Sequence, residues 1–209
     1  MINLLIIIFT MTLTYLVVAG RLDTYIRILA LQGFLLFGIS FLGLHEIDLL
    51  NLVFILVETL VFKAIIVPYY TQKSIDRSGV RHEIEPDVPN FYSVLIVMTF
   101  IMGSFAVAYQ LHDQHLQITY FTASLSTMLT GLYLIFTRKT IITHVVGYLV
   151  LENGIFLLSL AFGGEMPTLI NIAILLDIFS SLLILLMIIN RIGDVFKTVQ
   201  VDSLSDLQD

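Results

Sequence analysis

The chain of 209 residues contains no cysteine and few charged side chains. Without cysteine it cannot form a disulfide, and it cannot hold an iron–sulfur cluster or a zinc ion through thiolates. Charged residues make up 12% of the chain and hydrophobic residues 58%, and the mean hydropathy is +0.98. A soluble globular domain does not have this composition. The sequence therefore predicts an all-α integral membrane protein.

The sequence also lacks the motifs of common active sites. It contains no P-loop, no serine elbow and no pair of histidines spaced to bind haem or zinc across adjacent helices. His82 and the three acidic residues that follow it lie in a polar loop, which is interpreted as a solvated, partner-facing surface rather than a metal site. We expect no catalytic residue, cofactor or metal in this chain. The net charge of −6 argues against nucleic acid as a partner.

Seven apolar stretches are long enough to cross the lipid bilayer as helices. About 20 residues that rise ~1.5 Å each span the ~30 Å hydrocarbon core. The predicted spans are residues 3–19, 25–43, 49–70, 91–109, 118–136, 141–162 and 168–189. The first has no basic residues before it and is interpreted as a span, not as a cleaved leader. The predicted fold is a bundle of seven transmembrane helices.

Basic residues occur on one side of this predicted topology only. That side consists of the connections 20–24, 71–90 and 137–140, the adjoining helix ends and the C-terminal tail, and it holds every Lys and Arg except Lys63. The opposite side consists of the connections 44–48, 110–117 and 163–167, and it holds none. The positive-inside rule then places the N-terminus outside and the C-terminus in the cytoplasm.

The two ends of the chain resemble each other weakly. The stretch 29–32 (LALQ) in the second span parallels 149–152 (LVLE) in the sixth, and Glu58 precedes Asp177 at nearly the same spacing. We divide the chain into a three-helix part at 1–90, which ends in the cytoplasmic loop 71–90, a connector at 91–117 and a second three-helix unit at 118–209. The first part is interpreted as a diverged copy of the second, an arrangement common in transporters.

Glu152 and Asp177 lie near the middle of the sixth and seventh spans. An ionised carboxylate in hydrocarbon costs at least ~2.5 kcal/mol, so such groups face a bundle interior, a partner or a water-filled path. Desolvation also favours the protonated form. A carboxylate balanced between the two forms can relay a proton, and the alternative is a polar contact that packs helices. Two carboxylates in adjacent helices at matching depth favour the relay.

Other polar groups extend these sites. His144 and Tyr148 precede Glu152 by two turns and one turn on the same helical face, and Ser159 follows on that face. The stripe is interpreted as a half-channel from the cytoplasm to the mid-membrane, or as a helix–helix seam. Lys63 follows Glu58 by five residues, which an α-helix places on different faces, whereas a π-bulge would bring the two together.

Spans five to seven resemble the K subunit of respiratory complex I. The features that carry the resemblance are Glu152, the acidic Asp177, the basic hairpin 137–140 (TRKT) and the polar tail 201–207 (VDSLSDL). That family usually has Glu where this chain has Asp177, whose side chain is one methylene shorter. With its additional N-terminal helices, the whole chain is similar to hydrogenase-4 component E, the K-like membrane subunit of formate hydrogenlyase and related membrane-bound [NiFe]-hydrogenase complexes.

The resemblance implies a non-catalytic subunit in the cytoplasmic (inner) membrane of a prokaryote. Its partners would be antiporter-like membrane subunits and hydrogenase peripheral-arm subunits, and those partners would hold the [NiFe] centre and the iron–sulfur clusters. Its residues for ion translocation would be Glu152 first, then Asp177, with Glu58 and Lys63 as an N-terminal counterpart.

Three alternatives remain at this point. The chain can be the K-like subunit of a multi-subunit cation/proton antiporter, although such subunits usually have only three helices. It can be a self-contained secondary transporter built on the internal repeat. It can also be a scaffold whose carboxylates only pack helices.

Overall fold

The structure is a computed structural model. It describes residues 1–43, 53, 56–78, 88–111, 117–138, 140–162 and 180, and at positions 58, 74, 77, 78 and 141 it describes the backbone alone. The elements are α1 Ile2–Val18, α2 Leu22–Gly43, a π-helix Leu56–Ile66 that leads directly into α3 Val67–Ser78, α4 Asn90–Leu111, α5 Ile118–Thr137 and α6 Ile141–Ala161. The described part of the chain is therefore helical, as predicted.

Four of these helices are long and apolar enough to cross a membrane: Leu22–Gly43, Asn90–Leu111, Ile118–Thr137 and Ile142–Ala161. They match the second, fourth, fifth and sixth predicted spans within a few residues. α1 is shorter, at 17 residues, but equally apolar along its length. The seventh predicted span lies outside the described residues except for Ser180.

The third predicted span differs from the expected α-helix. Its backbone is wound as a π-helix over Leu56–Ile66, and Pro68, which has no N–H to donate to the preceding turn, follows at the second residue of α3. α3 then continues to Ser78. The first part of the predicted loop 71–90 is therefore helical, because no Gly or Pro interrupts the chain between Pro68 and Gly79.

Two helical hairpins, α1/α2 and α5/α6, form the centre of the fold, with α1 packed on α5 and α2 packed on α6. One apolar cluster, the turn-end cluster, includes Leu16, Leu22, Leu134 and Val146. A second, the open-end cluster, includes Ile6, Leu36, Tyr120 and Leu157. The first joins the residues beside both hairpin turns and the second joins the opposite ends. The hairpins are therefore parallel, with both turns at one end of the bundle.

Three glycines bring α5 and α6 into backbone contact. A Cβ atom on Gly131 would lie 2.7 Å from the carbonyl oxygen of Gly147 and 2.7 Å from the amide nitrogen of Leu151. A Cβ atom on Gly154 would lie 2.8 Å from the amide nitrogen of Met128. Small residues allow such close approach between membrane helices. The helix that carries Glu152 is thereby held firmly against α5.

α4 covers α5 and α1 from one side. Its buried residues are small or medium in size, namely Ser93, Val97, Ser104 and Ala108, and the Ser93 hydroxyl lies 2.9 Å from the Tyr133 hydroxyl of α5. Its opposite face exposes large apolar side chains such as Met102. α4 is therefore a peripheral helix of this bundle.

Candidate functional site

A polar layer lies between the two apolar clusters. On α6, Glu152 follows Leu149 and Val150 of the turn-end cluster and precedes Phe156 and Leu157 of the open-end cluster. Its side chain is only 3% exposed. The carboxyl group therefore lies inside the bundle at about the middle of the helix, where water is scarce and a charge is costly.

The same layer crosses α1 and α2. Gln32 lies between Leu29 of the turn-end cluster and Leu35 of the open-end cluster, and none of its side chain is exposed. Thr12 on α1 and Asn153 on α6 are buried as well. α1, α2 and α6 thus each contribute a buried polar residue at the depth of Glu152.

Hydrogen bonds connect this layer across three helices. Asn153 Nδ2 donates to Gln32 Oε1 at 3.1 Å, and Gln32 Nε2 donates to Thr12 Oγ1 at 2.8 Å. The Thr12 hydroxyl in turn donates to the carbonyl oxygen of Phe9 at 2.6 Å. Buried amides are costly unless both their donor and their acceptor are satisfied. These hydrogen bonds therefore fix the orientation of the Gln32 amide beside Asn153, which directly follows Glu152.

Lys63 approaches this layer from the π-helix. It is 6% exposed, and its Nζ lies 5.0 Å from the centroid of the Phe156 ring. An ammonium group at this distance is attracted by the ring face. Phe156 is one turn after Glu152 on the same side of α6. The buried cation of the third span thus lies against the helix that carries the buried carboxylate of the sixth.

The π-helix changes the relation between positions 58 and 63. Both positions lie within Leu56–Ile66, where the hydrogen bonds run from residue i to residue i+5. Residues five apart therefore occupy successive turns, whereas an α-helix would place them on different faces. Only the backbone of Glu58 is described, so the proposed pairing with Lys63 is carried by backbone winding alone.

The predicted stripe on α6 runs from the interior to the surface. Glu152 and Ser159 are both 3% exposed, His144 is half-buried, and Tyr148 is 39% exposed. The face that holds Glu152 thus reaches the outside of the bundle one turn closer to the hairpin turn, where Tyr148 borders it. This is compatible with either a half-channel or a seam covered by another helix.

The predicted carrier Asp177 lies outside the described part of the chain, and of the predicted Glu58 only the backbone is described. The polar-loop residues that are not expected to bind a metal, His82, Glu83, Glu85 and Asp87, lie outside it as well. Ser180, three residues after Asp177 in the sequence, is described and is 8% exposed. Among the described residues, no group of three or more His, Asp or Glu side chains is arranged to hold a metal ion.

Sequence reasoning missed two residues that join the hairpins, Asn153 at the site and Arg138 at the turn end of the bundle. Asn153 carries no signal in the sequence beyond its position after Glu152, and its partner Gln32 was noted only as the counterpart of Glu152 in the internal repeat. The sequence predicts that Arg138 lies in the basic connection 137–140 and does not indicate whether it is buried; it is 4% exposed and its Nη2 donates to the carbonyl oxygen of Val17 at 2.8 Å. Both contacts join the two hairpins, which the sequence does not show to be neighbours.

Comparison with known proteins finds a family match to the second hairpin and the remainder of the chain. Residues 119–209 match the family described as NADH-ubiquinone/plastoquinone oxidoreductase chain 4L. This match supports the resemblance to the K subunit of complex I and covers both Glu152 and Asp177. The family model does not cover the N-terminal hairpin or the π-helix.

A protein of Mycobacterium tuberculosis, named "Uncharacterized protein Rv0085", is similar over most of its length. It is 23% identical over 192 residues, which cover 90% of this chain and 87% of that protein. The similarity therefore extends beyond the segment matched by the family model. No solved structure matches the chain.

Proposed function

We propose that this protein is a membrane subunit of a complex I-like [NiFe]-hydrogenase of the formate hydrogenlyase type. In this proposal it contributes mid-membrane carboxylates to a path for protons or sodium ions. Redox chemistry in partner subunits drives the ions along that path. The match of residues 119–209 to the complex I chain 4L family supports the class of complex, and the N-terminal helices in addition to that unit favour the hydrogenase branch.

The observation that carries the proposal is the burial of Glu152 in the same layer as Lys63. Glu152 is 3% exposed and Lys63 6%, and the ring of Phe156, one turn from Glu152, lies 5.0 Å from the ammonium group. Burying either charge alone is expensive, and a nearby opposite charge offsets part of that cost. A carboxylate whose charged form depends on such a neighbour can take up and release a proton as that neighbour moves.

The remaining residues are assigned by their position relative to Glu152. Asp177 is the second carrier, and Glu58 with Lys63 forms the N-terminal counterpart. His144 and Tyr148 form the approach from the cytoplasm, because they lie between Glu152 and the basic turn of the α5/α6 hairpin. The surface position of Tyr148 supports an entry at this point, since the stripe meets the outside of the bundle there.

The orientation and the partners follow from the same proposal. The N-terminus lies outside and the C-terminus in the cytoplasm of a prokaryotic inner membrane. Antiporter-like membrane subunits lie beside this chain, and peripheral-arm subunits hold the [NiFe] centre and the iron–sulfur clusters. The described structure supports one element of this arrangement, because both basic hairpin turns lie at the same end of the bundle.

The test of the proposed site is Glu152→Gln in the assembled complex. The substitution keeps the size and hydrogen-bonding capacity of the side chain but removes the charge. We expect electron transfer and subunit composition to remain normal while coupled ion pumping falls by roughly tenfold or more, as for loss of a proton-transfer group. Ser104→Ala, a buried hydroxyl on the peripheral α4, is the matched control. Normal pumping by an assembled Glu152→Gln complex would remove the assignment.

The test of the proposed complex is purification through a tag on this chain in mild detergent, followed by mass spectrometry. Antiporter-like proteins together with [NiFe]-hydrogenase and ferredoxin-type subunits would support the hydrogenase assignment. Antiporter-like proteins alone would favour the multi-subunit antiporter. A stable single protein would contradict both and favour a self-contained transporter.

A further inference from the structure

Two consecutive residues of α2, Gln32 and Gly33, contact different neighbours of the polar layer. The Gln32 side chain bonds to Asn153 on α6, next to Glu152. The Gly33 backbone meets the π-helix at Lys63 and Ala64. At this one point α2 therefore touches both the helix that carries the buried carboxylate and the helix that carries the buried ammonium group.

The Gln32 contact is suited to hold a helix but not to conduct protons. The hydrogen bonds all run in one direction, from Asn153 to Gln32 to Thr12, and the last of them ends at the carbonyl oxygen of Phe9. A backbone carbonyl has no proton to pass on, and side-chain amides do not exchange protons readily. Because Gln32 is fully buried and both ends of its amide are bonded, its orientation is fixed. These hydrogen bonds therefore anchor α6 to α1 through α2.

The Gly33 contact sets the separation of the π-helix from α2. A Cβ atom at Gly33 would lie 2.7 Å from the amide nitrogen of Ala64 and 2.9 Å from the carbonyl carbon of Lys63. Cβ atoms do not approach backbone atoms this closely, so only glycine allows the present packing. The backbone of Lys63 is therefore fixed against α2 at the residue next to Gln32.

We propose that Gln32 and Gly33 together form a positioning element that fixes Lys63 and Glu152 relative to each other. The side chain of Gln32 sets the position of α6, and the missing side chain of Gly33 sets the position of the π-helix. Neither residue carries an ion. The inference rests on the proposed function only for its effect on ion transport, because the positioning itself can be measured without ion transport.

The test is the reactivity of Glu152 toward dicyclohexylcarbodiimide, a membrane-soluble reagent that adds to buried protonated carboxyl groups. The complex is labelled in native membranes at one fixed pH, and the modified fraction of Glu152 is measured by mass spectrometry. Gln32→Asn shortens the side chain by one methylene and breaks the bridge to Asn153. We expect modification of Glu152 to increase roughly threefold or more, the size of population change that the loss of one hydrogen bond produces.

A compensating variant separates positioning from general loosening. Gln32→Asn combined with Asn153→Gln exchanges the two side-chain lengths and restores the reach of the amide pair. We expect the modified fraction of Glu152 in the double variant to return to within about twofold of the wild-type value. Ser104→Ala is the control for a buried polar substitution elsewhere. If Gln32→Asn does not accumulate in the membrane, Gln32→Met replaces it, because methionine keeps the volume without the amide.

The outcomes distinguish this inference from the proposed function. The positioning role would be overturned if a Gln32→Asn or Gln32→Met protein that accumulates in the membrane showed the wild-type level of Glu152 modification. It would also be overturned if modification in the double variant were no closer to the wild-type level than in the single variant. Neither result would touch the assignment of Glu152. Normal pumping by Glu152→Gln would instead refute the proposed function and leave the modification ratios valid.

Discussion

Arg138 Nη2 and the carbonyl oxygen of Val17 are 2.8 Å apart, and this hydrogen bond joins the turn of the α5/α6 hairpin to the C-terminus of α1. The last carbonyls of a helix have no partner within it, and a cation near them is favourable. The guanidinium is 4% exposed. The bond therefore holds the two hairpins together at the end of the bundle where both of them turn.

Arg138→Met should destabilise the protein. The substitution removes a charged hydrogen bond, whose net value is ~1.5–3 kcal/mol, while relief from burying the guanidinium offsets part of the loss. We expect a decrease of about 1–2 kcal/mol in stability, measured as a lower midpoint of thermal unfolding in detergent. Arg21→Met is the control, because it removes a positive charge from the same end of the bundle. Its side chain is 67% exposed and forms a salt bridge with Asp23 at 3.4 Å. Equal effects of the two variants would contradict the role of Arg138.

Gly131→Ala should separate α5 from α6. The added methyl group would lie 2.7 Å from backbone atoms of α6, and overpacking of this kind costs ~1–3 kcal/mol. Gly103→Ala in α4 is the control, since nothing lies within 4 Å of the added atom and alanine favours the helix by up to ~1 kcal/mol. Thermal unfolding of the two variants should therefore shift in opposite directions. A stabilising Gly131→Ala would show that the contact has slack.

Gly33→Ala should impair pumping more than it impairs accumulation. The methyl group would push the π-helix away from α2 at Lys63 and so change the distance between the ammonium group and α6. Gly38→Ala on the same helix is the control, because its nearest neighbour is the flexible end of Leu5 at 3.3 Å. Ion pumping by the assembled complex is the measurement, normalised to electron transfer. Equal pumping by the two variants would argue against a special role of Gly33.

Lys63→Met should abolish most pumping without loss of the folded protein. Methionine keeps the length of the side chain, and without the cation desolvation keeps the Glu152 carboxyl group protonated, so no uncompensated charge is buried and the amount in the membrane should not fall. Pumping should fall by roughly tenfold or more if the cation tunes the carboxylate. Lys73→Met is the control, because Lys73 also stacks on aromatic rings, with its Nζ 5.8 Å from the centroid of Tyr69, but lies in α3. Full pumping by Lys63→Met would limit Lys63 to a packing role.

The helices themselves could be predicted because each follows from a local property of the sequence. A long apolar run must form a helix in a membrane, so α2, α4, α5 and α6 appear close to their expected limits. The third span could not be predicted in the same way. Its π-helix depends on how the chain meets Pro68 and α2, and the sequence leaves open whether Glu58 and Lys63 follow α-helical winding, which separates them, or a π-bulge, which brings them together.

The candidate site could be predicted only as separate residues. Burial cost alone marks Glu152 and Lys63 as unusual within a span. Their approach through Phe156 depends on which helices are neighbours, and helix pairing in a membrane is set by shape rather than by a pattern in one helix. Arg138 shows the same limit, because a rule about loop charge indicates the side of the membrane but not whether the side chain is buried.

The parallel arrangement of the two hairpins sets a parity rule for the chain between them. Each crossing of the bilayer reverses direction, so two hairpins face the same way only when an even number of crossings separates them. In the predicted topology the third span and α4 supply those two crossings. A tandem duplication of a three-helix ancestor would, without α4, have produced an inverted second copy, with the turn at Arg138 on the opposite side from the turn at Arg21. α4 contributes little to the polar layer, but in the predicted topology its crossing gives the two three-helix units the same orientation.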